Sequence, residues 1–133
     1  KDFLMTIQET YNALVSGSIS GVKNLASVPS QVNTAQLPCK YVKYGSTSFA
    51  VATLTNGLGL PSHSFEIVFL IEPIGQSNNI LNQSAVMTIA ENIYDYLDAI
   101  LDVLSVESTN QVMLINGISY WSIVVSITFL GDQ

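Results

Sequence analysis

The fold is decided by residues 112–130, VMLINGISYWSIVVSITFL. The Asn116-Gly117 pair predicts a two-residue β-hairpin turn, because both residues tolerate positive φ. In the strand that follows, every second side chain is apolar, which gives one unbroken hydrophobic face: Trp121, Ile123, Val125, Ile127 and Phe129. The opposite face also carries apolar side chains: Tyr120, Val124 and Leu130. Such a strand aggregates if it is left on an edge, so we expect it to lie centrally in a sheet or to pair with another subunit.

Helical periodicity occurs in two stretches. Residues 82–105 place apolar side chains within one stripe at about 100° per residue, which predicts a long core-facing helix. A similar pattern predicts an amphipathic helix over residues 2–15, ended by Gly17. Between the helices we expect strands over residues 39–44 and 62–74, separated by a Gly-containing excursion through residues 45–61 that forms a loop or a hairpin.

These elements predict an α+β fold in a single domain, residues 1–133. The predicted order is helix, strand, strand, helix, strand, strand. Two main helices would pack on a mostly antiparallel sheet of four strands or slightly more. A polar connector, residues 16–38, would join the first helix to the sheet and contain at most a short strand near Val22.

Composition excludes several functions. Charged residues make up only 11% of the 133-residue chain, against a usual share of about 25%. The net charge is -6, arginine is absent and all four lysines lie within the first 43 residues. This argues against a basic surface that would bind the phosphates of nucleic acid. The apolar piece after Gly117 is shorter than the roughly 20 residues that a membrane-spanning helix needs. The single cysteine, Cys39, forms no internal disulfide, which favours an intracellular origin.

Few side chains could carry chemistry. His63, the one histidine, is expected to be an ordinary residue at a strand edge. Its neighbour Glu66 would point to the opposite face of a strand, so the two make no metal pair. Cys39 is expected to be a small packed residue, and no phosphate-binding loop is present. We therefore predict no enzyme and no catalytic, metal-binding or cofactor-binding residues.

Four carboxylates recur at spacings of four, three and four on the second helix: Glu91, Asp95, Asp98 and Asp102. They form a stripe opposite the apolar one, and no lysine on the helix relieves their mutual repulsion. One hypothesis is a solvated helix face. The other is a surface kept negative, either to line a passage that must not bind DNA or to meet the lysine-bearing half of a neighbouring subunit.

The order of landmarks resembles the tail terminator, or tail completion, proteins of long-tailed bacteriophages. The resemblance covers most of the chain. It rests on a set of short segments in sequence order after the N-terminal helix: Gly21-Val22-Lys23, Leu37-Pro38-Cys39-Lys40-Tyr41-Val42, Thr55-Asn56-Gly57, Ser64-Phe65-Glu66-Ile67-Val68-Phe69, Asn92-Ile93-Tyr94-Asp95-Tyr96-Leu97 and Ile127-Thr128-Phe129. Each is a packing or turn pattern, and none is a catalytic signature.

The resemblance implies a structural virion protein of the tail or neck, assembled in the host cytoplasm. It would form a ring, typically six-fold, that caps the head-proximal end of the tail tube. The implied partners are other copies of the chain, the tail tube protein and the head-tail connector or neck protein. DNA would only pass through the lumen, and neither a membrane nor a cofactor is involved.

Subunit contacts are expected around the Gly-containing excursion. The candidate interface residues are Lys40, Lys43, Tyr44, Phe49, Leu54, Asn56, Leu58 and Leu60. Other hypotheses remain open at this stage. One alternative is a tail tube subunit or a head-completion protein, which would also be a small protein that assembles into hexameric rings. Two alternatives belong to other classes: a small ligand-binding α+β domain and a non-viral structural or adaptor module.

Overall fold

A computed structural model describes residues 6–19, 21–25, 28–32, 36–52, 57–73, 79–98 and 105–130. Two helices and five strands form in chain order: α1 (Ile7–Ser16), β1 (Lys23–Asn24), β2 (Cys39–Ala52), β3 (Gly57–Pro73), α2 (Asn79–Asp98), β4 (Ser105–Ile115) and β5 (Ile118–Leu130). The strands make one sheet in the order β1-β2-β3-β5-β4.

The predicted fold class is wrong. The sheet has five strands and is mixed, and the order of elements is α-β-β-β-α-β-β, with strands dominating over the two helices. The additional strand, β1, pairs in parallel with Cys39 and Lys40 at the start of β2. The Lys23 amide donates to the Pro38 carbonyl at 3.0 Å, and the Leu25 amide donates to the Lys40 carbonyl at 2.9 Å. A two-residue strand is too short to show periodicity, so its pairing is invisible in the sequence.

The Gly-containing excursion is the hairpin between β2 and β3, and the loop alternative is wrong. Antiparallel pairing continues from Cys39↔Leu70 to Ala52↔Gly57, with register shifts after Tyr44 and after Phe49. Gly45 lies in the first irregularity, where a Cβ would come within 3.0 Å of the Ser64 carbonyl oxygen. The Gly- and Ser-containing segment after Tyr44, which was expected to interrupt the strand, therefore continues β2 with irregular pairing. Residues 53–56 lie outside the described residues.

The prediction for β5 is confirmed. It lies between β3 and β4 and therefore has a neighbour on both sides. Asn116 has φ 50° and Gly117 has φ 79°, the two consecutive positive values that a type I′ hairpin turn requires. The preceding strand is longer than expected, because β4 begins at Ser105 rather than at Val112. Its first half is polar and gave no strand pattern.

The helix boundaries differ from those predicted. Helix α1 begins after Thr6, whose side chain and backbone exchange hydrogen bonds with Glu9 in a capping box. Residues 2–5, the predicted start of this helix, lie outside the described residues. Helix α2 starts earlier than predicted, at Asn79, and its expected end at Ser105 is wrong because Ser105 already belongs to β4. Neither described helix is long and apolar enough to cross a bilayer.

Both helices pack on the same face of the sheet and bury the main core. From the sheet this core contains Val42, Phe65, Ile67, Phe69, Ile71, Ile123, Val125, Ile127 and Phe129. A smaller cluster covers the other face, where the connector contributes Leu25, Val32 and Leu37. The expectation that both faces of β3 are at least partly covered is confirmed, since Phe69 and Leu70 are both fully buried.

Candidate interaction surface

Strand β4 is the open edge of the sheet. It pairs with β5 without a register shift, from Ser105↔Thr128 to Ile115↔Ile118, and has no strand on its other side among the described residues. The strand is 11 residues long and carries a single charge, Glu107. Proteins usually blunt such an edge with charges, prolines or bulges, because unpaired backbone groups recruit further strands. Along its described length, β4 has neither a proline nor a bulge.

The direction of the backbone groups follows from the hairpin. In a two-residue hairpin the residues that flank the turn, Ile115 and Ile118, exchange both hydrogen bonds, and bonded pairs then alternate along the strands. Odd-numbered residues of β4 therefore bond to β5. The N–H and C=O groups of the even-numbered residues point away from the sheet: Val106, Ser108, Asn110, Val112 and Leu114. They present a regular row of donors and acceptors to an incoming strand.

The side chains of these same residues lie on the helix-covered face of the sheet. Val112 is opposite Trp121 and Asn110 is opposite Ile123, both of which belong to the core face. Yet Val112 and Leu114 are 54% and 66% exposed. Helix α2 packs on β3 and β5 and leaves these side chains uncovered. The apolar face of the sheet thus continues past the helix into solvent.

One flank of α2 borders this uncovered strip. Met87 and Tyr94 are 57% and 73% exposed and lie about 20° apart around the helix axis. Tyr96 lies on the opposite flank, where its hydroxyl donates to the Leu14 carbonyl of α1 at 2.5 Å. Met87 and Tyr94 therefore face away from α1, toward β4. We call Met87, Tyr94, Val106, Val112 and Leu114 the open face.

A cleft of about 200 Å³ separates α2 from β4 beside the open face. It is lined by Val86, Asn110, Gln111, Val112, Trp121 and Ser122. The polar side chain on this side of the sheet is Asn110, because the side chains of Gln111 and Ser122 lie on the other face, and the Ser122 hydroxyl donates to the Gln111 carbonyl at 2.8 Å. The cleft is a gap between two elements that an incoming side chain could fill, and it contains no group that titrates near neutral pH.

Of the predicted interface residues, Lys40, Lys43 and Tyr44 have described side chains. Lys43 is about half exposed, and its ammonium lies 3.6 Å from the Glu66 carboxylate. Tyr44 is also half exposed, and its hydroxyl bonds to Thr47 Oγ1. The backbones of Phe49, Leu58 and Leu60 lie in the paired arms of the β2-β3 hairpin, but their side chains are outside the description. Leu54 and Asn56 fall outside the described residues.

Lys40 lies inside the chain and cannot reach a neighbouring subunit. Only 1% of its surface is exposed, and Nζ donates to the carbonyls of Leu14 at 2.7 Å and Val15 at 3.3 Å. The ammonium also lies 5.0 Å from the centre of the Tyr96 ring, within range of a cation–π interaction. Burial lowers the pKa of Lys40 to about 8. Lys40 and Tyr96 together satisfy carbonyl groups at the C-terminus of α1, which otherwise lack intrahelical partners.

The acidic stripe is placed as predicted where it is described. Glu91, Asp95 and Asp98 are all exposed and lie opposite the buried side of α2, which includes Val86 and Ile93. Asp102 lies outside the described residues. Both hypotheses for the stripe require exposure, so its position is compatible with either.

His63 differs from the expectation of an edge residue. It is 1% exposed within β3, its Nδ1 lies 3.0 Å from Thr47 Oγ1, and its ring packs edge to face on Phe129. Cys39 is fully buried, and burial raises the pKa of its thiol to about 11, which confirms the prediction of a packed residue. Across the described ranges, no group of three or more His, Cys, Asp or Glu residues could hold a metal ion.

No protein-family model and no curated protein matches this chain. The open face was missed in the sequence because its five residues come from two elements. Within β4, the alternation of Val106, Ser108, Asn110, Val112 and Leu114 mixes polar and apolar side chains. The one available signal was that Val112 and Leu114, shortly before the hairpin turn, lie on the same side of the strand.

Proposed function

We propose that this chain is a structural virion protein that self-associates into a ring, caps the head-proximal end of a phage tail tube and forms part of the head-tail interface. The observation that carries the proposal is the combination of an open edge strand, β4, with the apolar open face beside it. Backbone groups and apolar side chains are thus both available along one side of the subunit. The family resemblance supplies the biological setting.

A closed ring suits this surface because it removes the exposed edge. Edge strands cause uncontrolled aggregation unless they are covered, and a head-to-tail interface that closes by rotation covers every copy of the edge with a neighbour. Leu114 and Tyr94, each more than 60% exposed in the single chain, would then become buried. The low overall charge, 11% of residues, fits a chain with much surface reserved for contacts.

In the ring, the acidic stripe of α2 is our candidate for the wall of the DNA passage. Its described members, Glu91, Asp95 and Asp98, are exposed, and α2 contains no lysine or arginine. A negative wall repels phosphates, so DNA would move past it without being retained.

The experiment measures the mass of the purified protein by light scattering across concentrations, followed by electron microscopy alone and with purified tail tubes. We expect closed rings of uniform order and a single layer of the protein at one end of each tube. A chain that stays monomeric at all concentrations and does not bind tubes would contradict the proposal. Repeated layers along the tube would instead identify a tube subunit, which shares the ring but not the terminator role.

A further inference from the structure

The two ends of the sheet differ in charge. The exposed lysines among the described residues, Lys23 and Lys43, lie on β1 and β2 at one end. At the other end, β4 contains Glu107 and no lysine. Helix α2, which packs on β3 and β5, contains the described carboxylates of the acidic stripe and also no lysine. The uneven charge along the sequence is therefore also an uneven charge across the sheet.

The β2 end also has an open edge. Strand β1 covers β2 only at Cys39 and Lys40. The carbonyl of Lys40 points outward to the Leu25 amide, so by alternation the N–H and C=O groups of Val42 and Tyr44 also point outward. They meet no strand among the described residues. This edge is short, because the register shifts directly after Tyr44.

We propose that β4 of one copy pairs with the outer edge of β2 in the next copy, so that the sheet continues from subunit to subunit. The inference rests on the proposed function and specifies the partner of its interface. The occupant of the β4 edge is then a second copy of this chain, presenting its lysine-bearing end. The open face would be covered by the residues around β2 of that copy.

Charge placement supports this pairing. Lys43 is opposite Glu66, Glu66 is opposite Ser126, and Ser126 is opposite Glu107, so Lys43 and Glu107 lie on the same face of the sheet. Lys23, opposite Cys39 in β1, shares that face. If the sheet continues across the interface, the lysines of one copy and Glu107 of the next lie on one side of it and attract each other.

Pairing of β4 with β4 of a second copy is the competing arrangement. It would place the same acidic strand on both sides of a two-fold axis and would leave the lysine-bearing edge unused. It would also produce a dimer and not a ring. The two arrangements therefore predict different responses to charge reversal.

The test uses two variants of the full chain. One carries Lys23→Glu and Lys43→Glu, which makes both ends acidic, and the other carries Glu107→Lys and Thr109→Lys, which makes the β4 edge basic. We expect each variant alone to associate about tenfold more weakly than wild type at low salt. An equimolar mixture should recover association, because the acidic β2 end of one variant meets the basic β4 edge of the other.

Sedimentation at about 50 mM salt measures the association, and circular dichroism verifies that each variant is folded. The control variant, Lys23→Arg with Lys43→Arg, keeps the positive charge at both positions and should associate like wild type. A mixture that does not recover, while wild type forms rings, overturns this inference and leaves the proposed function intact. If the wild type is a dimer and only the Glu107→Lys, Thr109→Lys variant changes association, then β4 pairs with β4. That result overturns both this inference and the proposed function.

Discussion

Strands β4 and β5 are joined by a two-residue turn, and β4 is paired with β5 along its whole length. The two strands nevertheless differ in how far their side chains are buried. Strand β5 lies between β3 and β4, and Ile123 and Val125 on its core face are fully buried. Strand β4 has one neighbour, and Val112 and Leu114 on the same face remain exposed. The difference shows that hydrophobic side chains on one face are not enough to predict burial. The position of the strand in the sheet, and the reach of the helix above it, decide whether they form core or interface.

The largest expected difference between the two strands is in the free energy of unfolding when one apolar side chain of each is truncated to alanine. Ile123→Ala in β5 should destabilise the folded chain by about 2 to 5 kcal/mol, because it leaves a cavity in the core. Leu114→Ala in β4 should change the free energy of unfolding by less than about 0.5 kcal/mol, since its side chain is already in solvent. Urea denaturation at low protein concentration measures both. Equal losses would show that β4 is buried even in the single subunit.

A backbone change separates the edge from the centre more directly. Asn110→Pro removes an N–H that points away from β5, so the hairpin should survive while self-association falls about tenfold, or about 1.4 kcal/mol. Asn110→Ala retains the N–H and should associate like wild type. Val124→Pro in β5 should prevent folding. Analytical ultracentrifugation and circular dichroism give the two readouts, and unchanged association of Asn110→Pro would show that the edge is not used.

Lys40 makes the stability of the core depend on pH. Its folded pKa, about 8, lies below the ordinary lysine value of about 10.4, so the unfolded chain holds more protons between these values and stability rises with pH. The gain should be about 1 kcal/mol from pH 7 to pH 9. Above pH 9 the rise flattens, because Cys39 keeps a proton that the unfolded chain loses, which offsets the contribution of Lys40.

The matched variants are Lys40→Met and Lys43→Met. Lys40→Met should lose the rise between pH 7 and pH 9, whereas Lys43→Met, at an exposed position, should keep it. Urea denaturation at each pH gives the slope, which is compared without regard to the absolute stability of each variant. A Lys40→Met profile that parallels wild type would mean that another group causes the rise.

The smallest effect concerns the exposed side of α2. Asp95→Asn with Asp98→Asn removes like-charge neighbours and should stabilise the chain by about 0.2 to 0.5 kcal/mol per pair. If the stripe lines the DNA passage, particles with this variant should retain or stall DNA more than wild type while assembling normally. Thermal unfolding and DNA release measure the two effects. Normal assembly with unchanged DNA passage would leave the stripe as a solvated helix face.

The parts that the sequence predicts are those with repeated local patterns. The turn at Asn116-Gly117, the apolar face of β5 and the buried stripe of α2 each repeat with a period that a few residues reveal. A short strand near Val22 was expected and β1 lies there, but its parallel pairing with β2 and the strand in the first half of β4 were not predicted, because both depend on distant strands and not on a local side-chain pattern. This is also why the fold class was wrong, since one two-residue strand makes the sheet mixed.

The candidate site shows the same limit. Lys40 looked like a surface residue because lysine usually is, and its burial depends on carbonyl groups 25 and 26 residues earlier in the chain. His63 is likewise buried by contacts with Thr47 and Phe129, which lie on two other strands. The open face joins residues of α2 and β4 that no single window of sequence contains. Within β4, only the apolar pair Val112 and Leu114 before the turn indicated it.

The C-terminus of α1 has a consequence for the order of folding. Its last carbonyls accept hydrogen bonds from Lys40, 26 residues later than Leu14, and from Tyr96, 82 residues later. As the polypeptide emerges during synthesis, α1 is complete long before Tyr96 exists. Closing so long a segment of chain is entropically costly, so this helix acquires its final contacts late. Helix α1 therefore receives the hydrogen bonds at its C-terminus only after most of α2 has been synthesised.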